Sequence, residues 1–342
     1  MRRKRWIGWA AAVAFGVFAA AAARAATIDD SMTKLAAEAE KAGSVIWYES
    51  SPDEQAQKIV AAFNKRFPNV KLEHIRDTGG NSIGARIVQE SQGNARTADI
   101  ATVGNSIMMP LIERTLVAKV DWTGLGAAPK TTPSPYAITC TAVVYIIVYN
   151  TDQVKEADAP KNWADLLDPR WDGKLGVWVR AEAQGALSAV WGEDKVADFI
   201  KKLNANHPVL EKSTFPLAQQ VAAGELLVGL GIYHTAQPPL QRGAPIKVVI
   251  PEPVPVDMLY DIVPAQAKNP AGGQLVALWL ATTEGSNAYE DATSRGNPLV
   301  EGTKTEALLR GRTLAQYPPE QAQREAEMVE RFNKLLESGA TQ

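Results

Sequence analysis

Cysteine and histidine are scarce in this chain. Cys140 is the one cysteine among 342 residues, and the histidines are His74, His207 and His234. A single cysteine excludes an internal disulfide, and threonines flank Cys140, so we expect a buried, inert thiol. The sequence also lacks a Gly-x-Ser-x-Gly elbow, a Walker loop, a dinucleotide fingerprint and a His-Glu-x-x-His helix. These absences predict a protein that is not an enzyme and that carries no cofactor.

Apolar runs of membrane-spanning length are missing beyond the N-terminus. Basic residues at positions 2–5 precede an alanine-rich run over residues 6–23, which ends in Ala23-Arg24-Ala25. Small residues three positions and one position before a cut are typical of a cleaved secretory signal peptide. We therefore expect a signal peptide over residues 1–25, a mature chain that begins near Ala26, and a periplasmic location. An uncleaved anchor and a twin-arginine signal are the alternatives.

A positive balance of charge is missing as well. The expected cleavage removes five of the 36 basic residues and leaves 31 against 38 acidic ones, a net charge of about −7. An acidic chain without basic runs does not attract nucleic acid or an anionic membrane surface. Neither is expected as a partner.

The mature chain, about 317 residues long, is longer than one hydrophobic core usually organises, so two domains are expected. Periodicity predicts strands over residues 45–48, 70–75, 100–103, 143–149, 174–179, 226–232 and 258–263, and helices over 52–67, 82–92, 162–167, 193–203, 216–223, 274–281 and 319–336. This is the βαβ rhythm of mainly parallel sheets flanked by helices. The predicted fold class is α/β with two lobes, the first formed by residues 26–140 and 255–342 and the second by 141–254. The C-terminal helices could instead pack on the second lobe.

Ligands of open α/β sheets bind beyond the C-terminal ends of the strands, where helix N-termini present unpaired N–H groups. The residues at these corners are the candidate ligand contacts. They are Tyr48, Glu49, Ser50, Ser51, Gly79, Gly80, Asn81, Ser82, Asn105 and Ser106 in the first lobe, and Arg180, Thr214, Tyr233 and His234 in the second. Glycine and small hydroxyl residues let a ligand approach the backbone closely.

Each corner also has a purely structural interpretation. Ser51 and Thr214 could serve only as helix caps, and Ser51 has Glu54 at the right distance for a capping box. Glycines 79 and 80 could form only a tight turn, and Tyr48 and His234 could be packing residues. Arg180 is the sharpest candidate, because its planar fork suits a carboxylate or a phosphonate; an ion pair with nearby Glu182 is the alternative.

Several stretches resemble the periplasmic solute-binding proteins of ABC importers, in the family-1, ferric-iron-binding-like branch that also serves polyamines, thiamine and organophosphonates. The stretches that carry the resemblance are residues 45–51, 148–151, 163–174, 221–225 and 267–270. The resemblance implies a type II periplasmic-binding-protein fold, in which two lobes close on a small ligand by a hinge motion. It also implies that the loaded protein, expected to be a monomer, docks on a membrane permease.

One departure from the ferric-iron pattern concerns the ligand. Iron-binding members resemble one another in two consecutive tyrosines after a second-lobe strand, whereas this chain has Tyr233-His234. Glu49, Tyr233 and His234 could still form a weaker metal site, since Fe(III) prefers phenolate and carboxylate oxygens. We therefore expect a small organic anion such as a carboxylate or phosphonate. Ferric iron is the alternative ligand, and presentation to a receptor kinase is the alternative role.

Overall fold

The computed structural model describes residues 27–77 and 82–340. The expected signal peptide over residues 1–25 and the predicted contacts Gly79, Gly80 and Asn81 lie outside the described residues.

Within these ranges the chain forms ten strands and twelve α-helices. The strands are β1 (Val45–Glu49), β2 (Leu72–Arg76), β3 (Ile100–Gly104), β4 (Ile138–Asn150), β5 (Leu175–Trp178), β6 (Val209–Glu211), β7 (Val228–Ile232), β8 (Ile246–Val249), β9 (Val254–Ile262) and β10 (Leu314–Ala315). The helices are α1 (Ile28–Ala42), α2 (Asp53–Arg66), α3 (Ser82–Gln92), α4 (Asn105–Glu113), α5 (Glu182–Trp191), α6 (Glu193–Asn204), α7 (Thr214–Ala223), α8 (Tyr233–Gln241), α9 (Pro270–Leu280), α10 (Thr283–Thr293), α11 (Lys304–Leu309) and α12 (Ala322–Ala340).

The strands follow the order β2-β1-β3-β9-β4-β7-β5-β6, with β10 beside β9 and β8 beside β4. In the first lobe β1, β2 and β3 are parallel, and β9 is antiparallel to β3. In the second lobe β5, β6 and β7 are parallel. The α/β class with two lobes, predicted from the alternation of elements, is confirmed.

Strand β4 links the lobes. Its first part, up to Val144, pairs with β9, and from Tyr145 onward it pairs with β7 and β8. Strand β9 is shared in the same way, because its first two residues pair with β10 and the rest with β3 and β4. The strand predicted over residues 143–149 is therefore only the C-terminal half of a longer strand that runs through both lobes.

Each lobe has an aromatic core on one side of its sheet. In the first lobe, the rings of Phe63 and Trp279 meet edge to face with centroids 5.4 Å apart, beside buried Trp47. In the second, Trp163 and Phe332 lie in a core to which α12 contributes. The C-terminal helix thus packs on α5 and α6 of the second lobe, whereas α9 and α10 pack in the first.

Asn269, the fully buried N-cap of α9, ties three parts of the first lobe together. Its Nδ2 donates to the carbonyls of Ala39 and Gly43, and its Oδ1 accepts from the N–H of Gly272. Its own N–H donates to Asp99 Oδ1 at 2.7 Å. One side chain therefore satisfies both a helix start and the end of another helix, groups that would otherwise be buried without partners.

We expect Asn269→Ala to lower the free energy of unfolding by about 2 to 4 kcal/mol, because it removes a cap and leaves two buried carbonyls unpaired. Urea denaturation followed by circular dichroism measures this loss. The exposed Asn69 supplies the matched control, Asn69→Ala. Equal unfolding midpoints for the two variants would contradict this role for Asn269.

Candidate ligand-binding site

Five helices begin directly after strands at the edge where the lobes meet. They are α2, α4, α5, α7 and α8, and in these described helices no side chain caps the N-terminus. By contrast, Thr27, Asn269, Thr282 and Thr303 cap α1, α9, α10 and α11. Uncapped first turns keep N–H groups and a positive dipole end available, which favours anions.

Ser51 was predicted to cap α2, but it does not. The N-cap of α2 is Pro52, which makes no side-chain cap, so the predicted capping box is wrong. The Ser51 hydroxyl is instead buried, donates to Glu49 Oε1 at 3.1 Å and accepts a hydrogen bond from Arg295. Ser51 therefore belongs to a charged cluster at the end of β1.

Glu49 and Arg295 form the ion pair at the centre of that cluster. Arg295 Nη2 lies 3.0 Å from Glu49 Oε1, and the side chains are 9% and 1% exposed. Tyr289 donates its hydroxyl to the same oxygen at 2.8 Å, and the N–H of Ser51 donates to Oε2 at 2.6 Å. Both carboxylate oxygens of Glu49 are thus occupied.

The surroundings of Glu49 keep it ionised. Burial alone would raise its pKa, but the charge of Arg295, with hydrogen bonds from His74, Ser51 and Tyr289, lowers the pKa of Glu49 to about 2. A carboxylate already bound by this many donors has little capacity left for a metal ion.

Tyr233 and His234 begin α8 in the second lobe, and charged residues of the first lobe act on both. Burial and then the charge of Arg295 lower the pKa of His234 to about 3, so its imidazole is neutral. Its Nδ1 is buried and finds no hydrogen-bond partner among the residues that the structure describes. Burial and the charge of Glu290 raise the pKa of Tyr233. Charges of the first lobe therefore act on these two residues across the cleft.

A small cavity of about 10 Å³ lies at the strand ends of the second lobe. Its lining includes Tyr145, Trp178, Arg180, Gln184 and Thr214, and we name it the Gln184 cavity. Gln184 is 1% exposed, and neither its Oε1 nor its Nε2 has a partner among the described residues. The same holds for Trp178 Nε1. Buried polar groups are normally paired, so this set is unusual.

A larger cavity of about 290 Å³, the interlobe pocket, lies between the lobes. Its lining comprises Asn105, Ser106, Arg180, Glu182, Asp257, Glu325, Ala326, Val329, Glu330 and Asn333. Arg180 lines both cavities, is 56% exposed and forms an ion pair with Glu182. The ion pair considered as the alternative for Arg180 is therefore present.

The other predicted contacts lie in three different settings. Thr214 and Asn105 are buried in the cavity walls, and Ser50 and Ser106 are exposed at the ends of their strands. Ser82 starts α3 and donates to Asp77.

Tyr48 needs a correction. It is buried in the core with Ile83 and Ile87 of α3, and its hydroxyl donates to Glu90 at 2.9 Å. Neighbouring residues of a strand face opposite sides of a sheet, so Tyr48 cannot share the side of Glu49. We therefore remove it from the site.

Comparison with known proteins fits this architecture. A family model described as bacterial extracellular solute-binding protein matches residues 95–259. The Fe(3+)-binding periplasmic protein of Serratia marcescens is 28% identical over 197 residues, 56% of each chain. Iron-bound HitA from Pseudomonas aeruginosa superimposes with a TM-score of 0.71 at 18% identity, over 86% of this chain and 99% of HitA. AfuA from Actinobacillus pleuropneumoniae, with bound fructose-6-phosphate, gives 0.67 at 21% identity, over 86% and 99%.

The chain has the fold of a periplasmic solute-binding protein. The resemblance drawn from the sequence agrees with these matches to an extracellular solute-binding family model and to an iron-binding periplasmic relative. The structural neighbours carry different ligands, so their likeness shows the fold and not the solute. Among the described helices, none combines the length and the apolar character that a membrane crossing requires.

We expect Glu49→Gln to lower stability by about 3 kcal/mol at pH 7, because it leaves Arg295 buried without a counter-charge. A carboxylate whose pKa is about 2 when folded, against roughly 4.3 unfolded, stabilises the fold above the unfolded value and loses that effect as pH falls. The difference between wild type and variant should therefore shrink as pH falls from about 5 to 2. Urea titrations across this range measure it.

Exposed Glu54 on α2 provides the control variant, Glu54→Gln, which should unfold like wild type at every pH. A pH-independent difference for Glu49→Gln would show that the Glu49 charge does not stabilise the fold.

Proposed function

We propose that this protein is the periplasmic solute-binding component of an ABC importer and that it captures a small organic anion between its lobes. The Gln184 cavity is the observation that carries the ligand class. Its buried donors lack partners among the residues that the structure describes, and leaving such groups unpaired costs free energy that a ligand would recover.

The groups around the Gln184 cavity match an acid group. Trp178 Nε1 can only donate, Gln184 Nε2 and the Thr214 hydroxyl can also donate, and Arg180 supplies a positive charge at the rim. The uncapped N-termini of α5 and α7 add backbone donors of the same polarity. A cavity of about 10 Å³ holds roughly one water-sized group, so an acid oxygen would enter it and the rest of the solute would lie in the cleft.

Closure of the lobes follows from the same arrangement. A ligand stabilises the closed state only by contacts that the open state lacks, and here the two lobes face each other with complementary sets of groups. The first lobe offers the uncapped starts of α2 and α4, and the second offers the Gln184 cavity with His234. A permease would recognise the closed, loaded form.

Ferric iron has weaker support as the solute. The Serratia marcescens relative is an iron-binding protein, but of the three residues predicted for iron here, Glu49 is already bound by Arg295, Tyr289 and Ser51. Among the described residues there is also no group of three or more His, Cys, Asp and Glu side chains that could hold a metal ion. A visible charge-transfer band with Fe(III), lost in Tyr233→Phe, would overturn the organic anion.

We expect Gln184→Leu to raise the melting temperature of the unliganded protein and to weaken binding of its organic anion at least tenfold. An apolar side chain of similar size removes two buried polar atoms that lack partners, and it removes the ligand contact as well. A thermal-shift screen of carboxylates and phosphonates identifies the anion, and calorimetry then gives the affinities.

The matched control is Gln153→Leu, since the Gln153 amide already donates to the carbonyl of Gly224. This variant should gain no stability and should keep full affinity. If Gln184→Leu bound the anion as tightly as wild type, the Gln184 cavity would not be the acid subsite.

Arg180→Gln should weaken the same anion at least tenfold, because the acid group loses its only charged donor in the Gln184 cavity lining. Exposed Arg170, paired with Asp168 far from the cleft, gives the control Arg170→Gln. Equal affinities for the two variants, measured by calorimetry, would remove Arg180 from the site.

A further inference from the structure

We propose that the interlobe pocket is an ammonium subsite, so that the solute carries an amino group as well as its acid group. This proposal rests on the proposed function, and it narrows the solute from organic anions in general to compact amino acids of the carboxylic or phosphonic kind. Three features of the pocket support it: its charge, its unpaired acceptors and its position beside Arg180.

The charge of the pocket is negative. Glu182 comes from α5, Asp257 from β9 and Glu325 from α12, so three separate elements direct carboxylates to one space. Arg180 is the one cationic side chain in the lining among the described residues, and its ion pair with Glu182 already balances it. Asp257 and Glu325 remain without a counter-charge in that lining.

Asn105 is an independent sign of a ligand. It is 5% exposed and lines the pocket from the first lobe, and its Oδ1 is buried with no partner in the described part of the chain. Its Nδ2 faces Glu325 Oε2 at 3.5 Å, which leaves Oδ1 as the free end of the amide. Glu182 Oε2 is buried and unpaired in the same way. An ammonium group, with three donors and no acceptor, matches these acceptors.

Burying these three carboxylates together costs free energy when no cation lies between them. Burial first, and then the charges of Glu325 and Glu182, raise the pKa of Asp257 to about 7. Burial likewise raises the pKa of Glu182 and of Glu325. A bound cation would reverse these effects, since an opposite charge within a few ångströms favours the ionised carboxylate.

An organic cation fits the pocket better than a metal ion does. Metal ions require several oxygens within about 2.6 Å of one point, and the described carboxylates form no such group. They line a space of about 290 Å³ instead, which admits an ammonium group with the carbon chain that bears it.

The position of Arg180 fixes the polarity of the solute. Arg180 lines both cavities, with the Gln184 cavity on one side and the interlobe pocket, which contains Glu182, on the other. We expect the acid group of the solute to face Arg180 and its ammonium group to face Glu182 and Asp257. Each charge of the solute then lies beside the opposite charge of the Arg180–Glu182 ion pair.

Two matched pairs of probes test the subsite, each with and without the amino group. They are 3-aminopropanoate with propanoate, and 3-aminopropylphosphonate with propylphosphonate, titrated by calorimetry and by tryptophan fluorescence. We expect the amino member of at least one pair to bind ten times more tightly or better than its partner. Asp257→Asn and Glu325→Gln should each reduce that ratio at least threefold, whereas Glu327→Gln, on the same helix but directed to the groove beside α6, should leave both affinities unchanged.

The pH dependence of binding gives a second readout. The affinity ratio between each amino probe and its partner without the amino group should fall as pH drops below about 7, because Asp257 takes up a proton. This pH dependence should disappear in Asp257→Asn. The charged or titratable groups that face Asp257 are Arg180, Glu182, Glu325, Tyr145 and Tyr260. Both amide variants should fold with at least wild-type melting temperature, since they remove like charges from a buried space.

The outcomes separate the two proposals. Equal affinities within each pair would overturn the ammonium subsite and leave the anion proposal intact. A tenfold preference that neither variant reduces would also overturn it, since the amino group would then lie elsewhere. Binding of neither pair, together with tight binding of ferric salts, would overturn the proposed function itself.

Discussion

Two shared strands, β4 and β9, determine how the rest of the molecule is arranged. Both run from one lobe to the other, and each changes its pairing partner on the way. This brings the C-terminal strand ends of the two lobes face to face, with the helices that follow them. The residues that line the two cavities lie at strand ends, on β9, in the first turn of α5 and on α12. Relative motion of the lobes requires these strands to bend, which is the hinge that a ligand would bias.

Two buried carboxylates near the cleft, Glu49 and Asp257, have opposite electrostatic surroundings. Near α2, the Glu49 carboxylate is paired with Arg295 and fully hydrogen-bonded, so it stays ionised without a ligand. Near α4 and α5, Asp257 is buried among other carboxylates, and its pKa rises to about 7. The first arrangement pairs its charge within the protein, whereas the second, in the proposed ammonium subsite, is paired by the solute. This difference separates a structural ion pair from a proposed ligand-binding group.

The sequence predicted the features that depend on local chemistry. Apolar periodicity located most strands, and Gly224 was correctly expected to end α7, where it takes the left-handed conformation with φ +78°. Helices α1, α5 and α8 were missed, and α8 contains Pro238 and Pro239, which interrupt a helical pattern. Arg295 could not be predicted because its partner, Glu49, lies 246 residues away in sequence. Tyr48 was misplaced because adjacent strand residues face opposite sides of the sheet.

Five of the described helices that begin without a capping side chain, α2, α4, α5, α7 and α8, start at the cleft, and α6 also lacks a cap. A capping side chain would satisfy the N–H groups of the first turn and stabilise the unliganded protein, typically by about 1 kcal/mol per helix. It would also occupy the donors that a solute needs. The unpaired atoms of Gln184, Trp178 and Asn105 follow the same logic with side chains. In the proposed function, the stability that these unpaired groups do not contribute is recovered as affinity for the closed, loaded state, which an importer's binding component requires.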